Sequence, residues 1–270
     1  MLKKIGLSPF WRSILFVFQG QVIAQLIPIL SYIVVARLIK AEYFGLFAVW
    51  FGVVKFFSVM ITLRLETALV NEPDGYERDK SVLLVILTAV LMLFIIIPIT
   101  TMVWFIAPEP FSALPLLAWI LVGPCALLFA CDITLQTWAA ADGRYADLNK
   151  IRLAQASIMA ILQITLVYIF RDAEGLVIAS CLGSLVGLFA SNLFWPLRGF
   201  FGAPVWVELK LFWAKHKRFP MYSLPADSVS SFVAQLPVLI VGSRFGLDVA
   251  GQLALTLKMM AAPVGLLGRA

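Results

Sequence analysis

Eight times along this chain a predominantly apolar run of about 20 residues, the length a helix needs to cross a bilayer's hydrocarbon, separates two polar stretches. The runs cover residues 13–36, 43–63, 81–106, 114–140, 151–170, 175–196, 221–241 and 249–268. They are unbroken and lack the apolar-polar alternation of barrel strands, so each is expected to satisfy its backbone internally as a helix. Of the 270 residues, 62% are hydrophobic and 13% charged, too few polar groups to cover a soluble surface. The expected fold class is therefore an all-α polytopic membrane protein with about eight transmembrane helices. Soluble enzymes, zinc fingers and secreted disulfide scaffolds are excluded.

The basic residues give orientation. The N-terminus, the second, fourth and sixth loops together carry fourteen Lys and Arg, among them Lys3, Arg64, Arg78, Arg144, Lys215 and Arg218. The opposite side carries four: Arg37, Lys40, Arg171 and Arg244. By the positive-inside rule both termini are cytoplasmic, and the excess charge of +6 marks a membrane side, with no nucleic-acid partner expected. The first run is too long and too rich in glutamine for a cleaved signal peptide and reads as a retained helix. Two longer connections, 64–80 and 197–220, can hold interfacial structure.

Cys125, Cys131 and Cys181 lie inside apolar runs without metal-ligand spacing and read as small buried hydrophobes. His216, among Lys215, Lys217 and Arg218, reads as a solvated surface residue. No residue set supports nucleophilic or metal-assisted chemistry, so neither enzyme activity, cofactor nor metal is expected.

Ionisable residues within the spans are the informative ones, because a charge at mid-membrane costs roughly 2.5 to 3.5 kcal/mol unless it faces a bundle interior or a water-filled cavity. Lys55, Ser58, Thr62 and Glu66 fall at helical spacing on one face of the second span. The alternative is that Lys55 snorkels to the interface, or pairs with a carboxylate such as Asp132 simply to be tolerated. Ser223, Asp227, Ser231 and Gln235 form a slanting stripe on the seventh span, and Asp132 and Gln136 lie four apart on the fourth. On the eighth, Lys258 shares a face with the small residues Gly251, Ala254, Ala262 and Gly265, which lets a neighbour or ligand approach. Interhelical hydrogen bonding is the plainer account of the serines and glutamines. Gly183 and Gly187 form a GxxxG spacing, read as internal packing rather than dimerisation. Prolines at 28, 98, 124, 237 and 263 interrupt spans and can kink them.

Three stretches taken together resemble the polysaccharide biosynthesis branch of the multidrug/oligosaccharidyl-lipid/polysaccharide exporter superfamily, the O-antigen and exopolysaccharide lipid flippases. They are ARLIKAEYFGLFA at 36–48, LRLETALV at 63–70, and RFPMYSLPAD at 218–227 continuing through Gln235 and Pro237 to Gly251. The resemblance implies two six-helix lobes around a central cavity, with residues 1–196 as the first lobe, 197–220 as a cytoplasmic basic loop and 221–270 as the first two helices of an incomplete second lobe. It implies transfer of an undecaprenyl-pyrophosphate-linked oligosaccharide across the bacterial inner membrane for cell-surface polysaccharide biosynthesis. Relatives carry twelve or more spans, so the chain is expected to be truncated after its eighth helix and to need a partner chain for the missing helices. On this reading Lys55 and Lys258 pair with the pyrophosphate from opposite lobes, and Arg12 is a third cation at the cytoplasmic mouth. Ser58, Thr62, Glu66 and Gln235 line the cavity, and Asp132 and Asp227 orient the lysines or bind a coupling cation. The competing readings are an inactive truncated remnant or membrane scaffold, a cation-coupled multidrug exporter, and a membrane enzyme acting on lipid-linked sugars.

Overall fold

The computed structural model describes residues 9–106, 114–192 and 205–268, with 9–19, 21, 190–192 and 262–268 as backbone alone. Ten α-helices follow in order: α1 (Pro9–Leu38), α2 (Ala41–Met60), α3 (Tyr76–Ile106), α4 (Leu116–Ile120), α5 (Val122–Ala141), α6 (Tyr145–Phe170), α7 (Ala173–Asn192), α8 (Val205–His216), α9 (Leu224–Phe245) and α10 (Leu247–Gly268). The described residues contain no strand. Among the described residues five helical stretches, Ala41–Met60, Tyr76–Ile106, Leu116–Ala141, Tyr145–Phe170 and Phe219–Phe245, are long and apolar enough to cross a membrane, and Val22–Leu38 and Ala173–Phe189 are shorter apolar helices. The protein is an all-α polytopic membrane protein.

Local chemistry explains the interruptions. α4 and α5 form one span broken at Leu121, because Pro124 has no N–H to offer the carbonyl of Ile120 and its ring crowds that carbonyl. Between α8 and α9 the chain passes through a wider π-helical turn, Phe219–Ser223, where Pro220 and Pro225 withhold two more N–H groups. α2 stops at Met60, and Leu63 and Arg64 turn the chain through left-handed conformations (φ 54° and 60°) into a 3-10 helix at Leu65–Asn71.

α2 is the central element. Phe44, Phe47, Trp50 and Val54 are fully buried on it, and it packs against α5, α7, α9 and α10. The Trp50 indole donates to the Ala118 carbonyl at 2.7 Å, satisfying its only polar atom. α2 and α10 cross at Gly45 and Gly251, where a Cβ on either residue would strike the other helix's backbone carbonyl. On the small face expected around Lys258, Gly251 is thus a helix contact and Ala254 is buried, while Ala262 and Gly265 lie where side chains are not described. Gly183 and Gly187 let α7 close on Met159 and Gln155 of α6, so the GxxxG spacing serves packing within the chain.

α8 lies between spans and is amphipathic. It buries Leu209, Phe212 and His216 and exposes Trp206, Val207 and Leu211. Its Glu208 pairs with Lys80 at 2.5 Å, and the Trp213 indole donates to the Thr88 hydroxyl at 2.9 Å, which fixes it along α3. The helix occupies the 197–220 connection, of which residues 197–204 lie outside the described residues.

Candidate functional site

Three groups of polar side chains stand out at and below the level of the spans. The first lines a cavity of about 450 Å³ bounded by α1, α2, α5 and α6. Lys55 and Phe51 enter it from α2, Phe129, Asp132 and Gln136 from α5, and Arg152, Gln155 and Gln163 from α6, with Gln25 and Tyr32 on the α1 wall. Lys55 places its ammonium 3.7 Å from the Phe129 ring centroid and 5.3 Å from that of Phe51. Arg152 donates to Gln136 at 3.1 Å, and Gln136 donates to Asp132 at 2.8 Å. Two cations face one carboxylate here, so the cavity has a net positive lining furnished with amides and aromatic faces. That set can hold an anion and can hydrogen-bond hydroxyl groups. Lys55 therefore faces a cavity among the helices before α8, not one shared with α9 and α10.

The second group surrounds Lys258. Its ammonium, carried by α10, sits 4.1 Å from the ring centroid of Tyr32 and 5.3, 5.1 and 4.8 Å from those of Phe44, Phe47 and Phe51. It is buried and has no hydrogen-bond partner among the described residues. Phe44, Phe47, Phe51, Lys55 and Ser58 recur at i, i+3, i+7, i+11 and i+14, so one stripe of α2 builds the box and continues into the cavity. Phe51 belongs to both, since each lysine lies over its ring. The sequence reading found the polar end of this stripe and missed its aromatic half, although the 3.6 period was there to be followed.

The rest of the expected stripe does not continue along α2. Ser58 donates to the Lys55 carbonyl at 2.8 Å, while Thr62 lies in the turn after the helix and Glu66 on the 3-10 helix beyond it. Glu66 instead accepts from Arg64 at 3.0 Å, and the same guanidinium donates to Asp227 of α9 at 2.6 Å. Arg64, read only as a marker of membrane side, thus joins the turn after α2 to the start of α9. Asp227 meets this arginine and not the lysines. Gln235 lies over Gly52 of α2, a helix-packing position. Arg12 falls where side chains are not described.

The third group gathers at the end that the charge bias assigns to the cytoplasm. Arg78 is buried and donates to the carbonyls of Leu69 (3.2 Å), Glu72 (2.9 Å) and Ala141 (3.1 Å), pairing also with Asp74 at 2.5 Å and Asp142 at 3.2 Å. Glu72, buried, accepts from Lys215 at 2.6 and 2.8 Å and from His216 at 2.5 Å. This corrects the expectation of a solvated His216: the residue is 6% exposed and packs between Phe212 and Phe219. Its position four after Phe212 and seven after Leu209, on the apolar face of α8, is the signal that a local reading of charge obscures.

Burial pushes the Glu72 carboxyl up, but hydrogen bonds and charge from Lys215 and His216 outweigh it and hold the group below its ordinary value of 4.5. A carboxyl held low stabilises the fold at pH above its ordinary value and loses that contribution as pH falls through the lowered one. Acidification below 4.5 is therefore expected to loosen α8 from the 3-10 segment. Glu72→Gln should loosen it at neutral pH by about 2 kcal/mol and remove the acid step, which Trp fluorescence from α8 would report. An unchanged acid step in the variant would assign the transition to another group.

Comparison with protein families gives a match to the model described as polysaccharide biosynthesis protein, over residues 34–270. Comparisons with curated proteins and with solved structures gave no significant match. The matched residues take in the α2 stripe, the polar cavity's α2, α5 and α6 walls and the Lys258 helix, and the chain belongs to the polysaccharide biosynthesis protein family.

Proposed function

We propose that the protein moves an undecaprenyl-pyrophosphate-linked oligosaccharide from the cytoplasmic to the outer leaflet of the bacterial inner membrane, with both of its termini cytoplasmic. The observation that carries this reading is the pair of lysines flanking Phe51, one lining a polar cavity and one on a helix that crosses α2. A pyrophosphate and its sugars cannot cross hydrocarbon unaided, while the polyprenyl tail can stay in lipid. The protein need only shelter the head. Lys55 and Lys258 supply compact cations for the pyrophosphate, and the amides of Gln25, Gln136, Gln155 and Gln163 offer hydrogen bonds to hydroxyls.

Movement on this reading separates α9 and α10 from the helices before α8, which opens the Lys258 groove toward the Lys55 cavity along the α1 wall that lines both. The Arg64 bridge to Asp227 and the Lys258 box both span that division. No covalent bond is made or broken.

The reading is tested with the chain reconstituted, alone and with a partner chain that supplies further helices, in proteoliposomes that carry a fluorescent polyprenyl-pyrophosphate sugar in one leaflet. Protein-dependent appearance of the sugar in the other leaflet is expected, and its absence, with no binding of the lipid to the purified chain, would overturn the reading. Cysteine accessibility from intact cells should be high at positions 172 and 248 and low at 74, 147 and 215. The reverse pattern would invert the assigned direction.

A further inference from the structure

An ammonium has three donors and is strongly hydrated in water, yet that of Lys258 is buried with none of them used among the described residues. What replaces water is four aromatic rings, all within 5.3 Å of the nitrogen. Attraction to ring faces is substantial in a desolvated setting but weaker than a charge-assisted bond to a phosphate oxygen. Lys258 is not sealed off. It also lines a groove of about 290 Å³ between α1 and α10, whose other walls are mainly apolar and include Ile29, Met259 and Ala261. Gln25 and Tyr32 line this groove and the polar cavity alike, so the α1 wall is common to both.

We propose that the box of Tyr32, Phe44, Phe47 and Phe51 is a holding site that keeps the Lys258 ammonium docked until a phosphate-type oxyanion enters the α1–α10 groove and draws it off the rings. The inference rests on the reading that Lys258 meets the anionic head of a lipid, and it adds positioning residues to that reading. The box lowers the apparent affinity for the anion, because docking must be undone before the ammonium can pair. In return the unliganded protein keeps α10 fastened to α1 and α2, and an amphiphile whose tail fits the apolar groove is selected by the charge on its head. The ring share of the docking is lost when the anion binds, so the sign of a ring deletion is the opposite of an ordinary packing defect.

The test uses the full chain in phosphatidylcholine nanodiscs with farnesyl pyrophosphate as probe. Phe51→Leu and Tyr32→Leu are expected to tighten binding about tenfold each, and Lys258→Met to abolish it. A second measurement reads the groove itself: in a background without native cysteines, Ile29→Cys and Ala261→Cys, which line the groove from α1 and α10, should be bridged by a short bifunctional thiol reagent. That yield should fall several-fold with Phe51→Leu, with Lys258→Met, and on adding farnesyl pyrophosphate to the otherwise unsubstituted protein. Ring variants that bind the probe more weakly or unchanged, while cross-linking as before, would overturn the holding site and leave the lipid-head reading standing. Equal undocking by phosphatidylglycerol would support the holding site but make a bulk phospholipid its ligand, against the transport reading. Failure of every variant to bind any phosphate lipid would overturn both.

Discussion

Replacing Lys55 by glutamine is expected to lower translocation of the lipid-linked sugar about a hundredfold while the chain remains folded. Lys55 and Arg152 are the cations on the cavity wall, and the substitution removes the ammonium that pairs directly with the phosphate on this reading, a contact that no change at Asp132 restores. An anionic head then loses the charge that offsets its own desolvation. A rival account makes Lys55 a counterion that merely keeps Asp132 tolerable in the membrane. The double variant Lys55→Gln with Asp132→Asn separates the two, since neutralising both members of a structural pair restores function while neutralising a ligand-binding cation does not. Initial rates of leaflet transfer, compared at equal reconstituted protein, read the result. Recovery in the double variant would reassign Lys55 to structure.

Replacing Arg78 by lysine is expected to cost about 3 kcal/mol, although it keeps the charge. The guanidinium reaches three carbonyls and two carboxylates that belong to the 3-10 segment, the turn before α3 and the end of α5. One ammonium has neither the reach nor the fork geometry to meet them together. The Glu72 carbonyl would lose its guanidinium donor and the Leu69 carbonyl would keep only the Glu72 N–H, and the segment that presents Glu72 to His216 would lose its anchor. Thermal unfolding in detergent, with α8 followed by its tryptophans, should show a lowered midpoint and early release of α8. A midpoint within about 1 °C of the unsubstituted protein would show that water or neighbouring groups replace the clamp.

What the amino-acid order determined by itself was everything set by the solvent. Runs of about 20 apolar residues must be helices in a bilayer, and proline and glycine punctuate them according to local backbone rules. Fold class, the eight helical runs and the anomaly of Lys55 and Lys258 within them were legible for that reason. Even so, the period of α2 carried further toward its N-terminus than the polar reading followed it, through Phe51, Phe47 and Phe44.

The partners of each charge were decided only by tertiary structure. Asp227 lies 163 residues from Arg64 in sequence and 2.6 Å from it in space, and no periodicity links them. His216 sits in a basic run that reads as solvated, but α8 turns it onto Glu72 through the packing of Leu209 and Phe212. Lys258 gains its four rings because Gly45 and Gly251 let α10 approach α2 to backbone contact, which no single helix can encode. A span's length answers to the membrane's thickness, a local sum over neighbouring residues. An ion pair or a cation in a box answers to distances between segments, and those exist only once the helices have crossed.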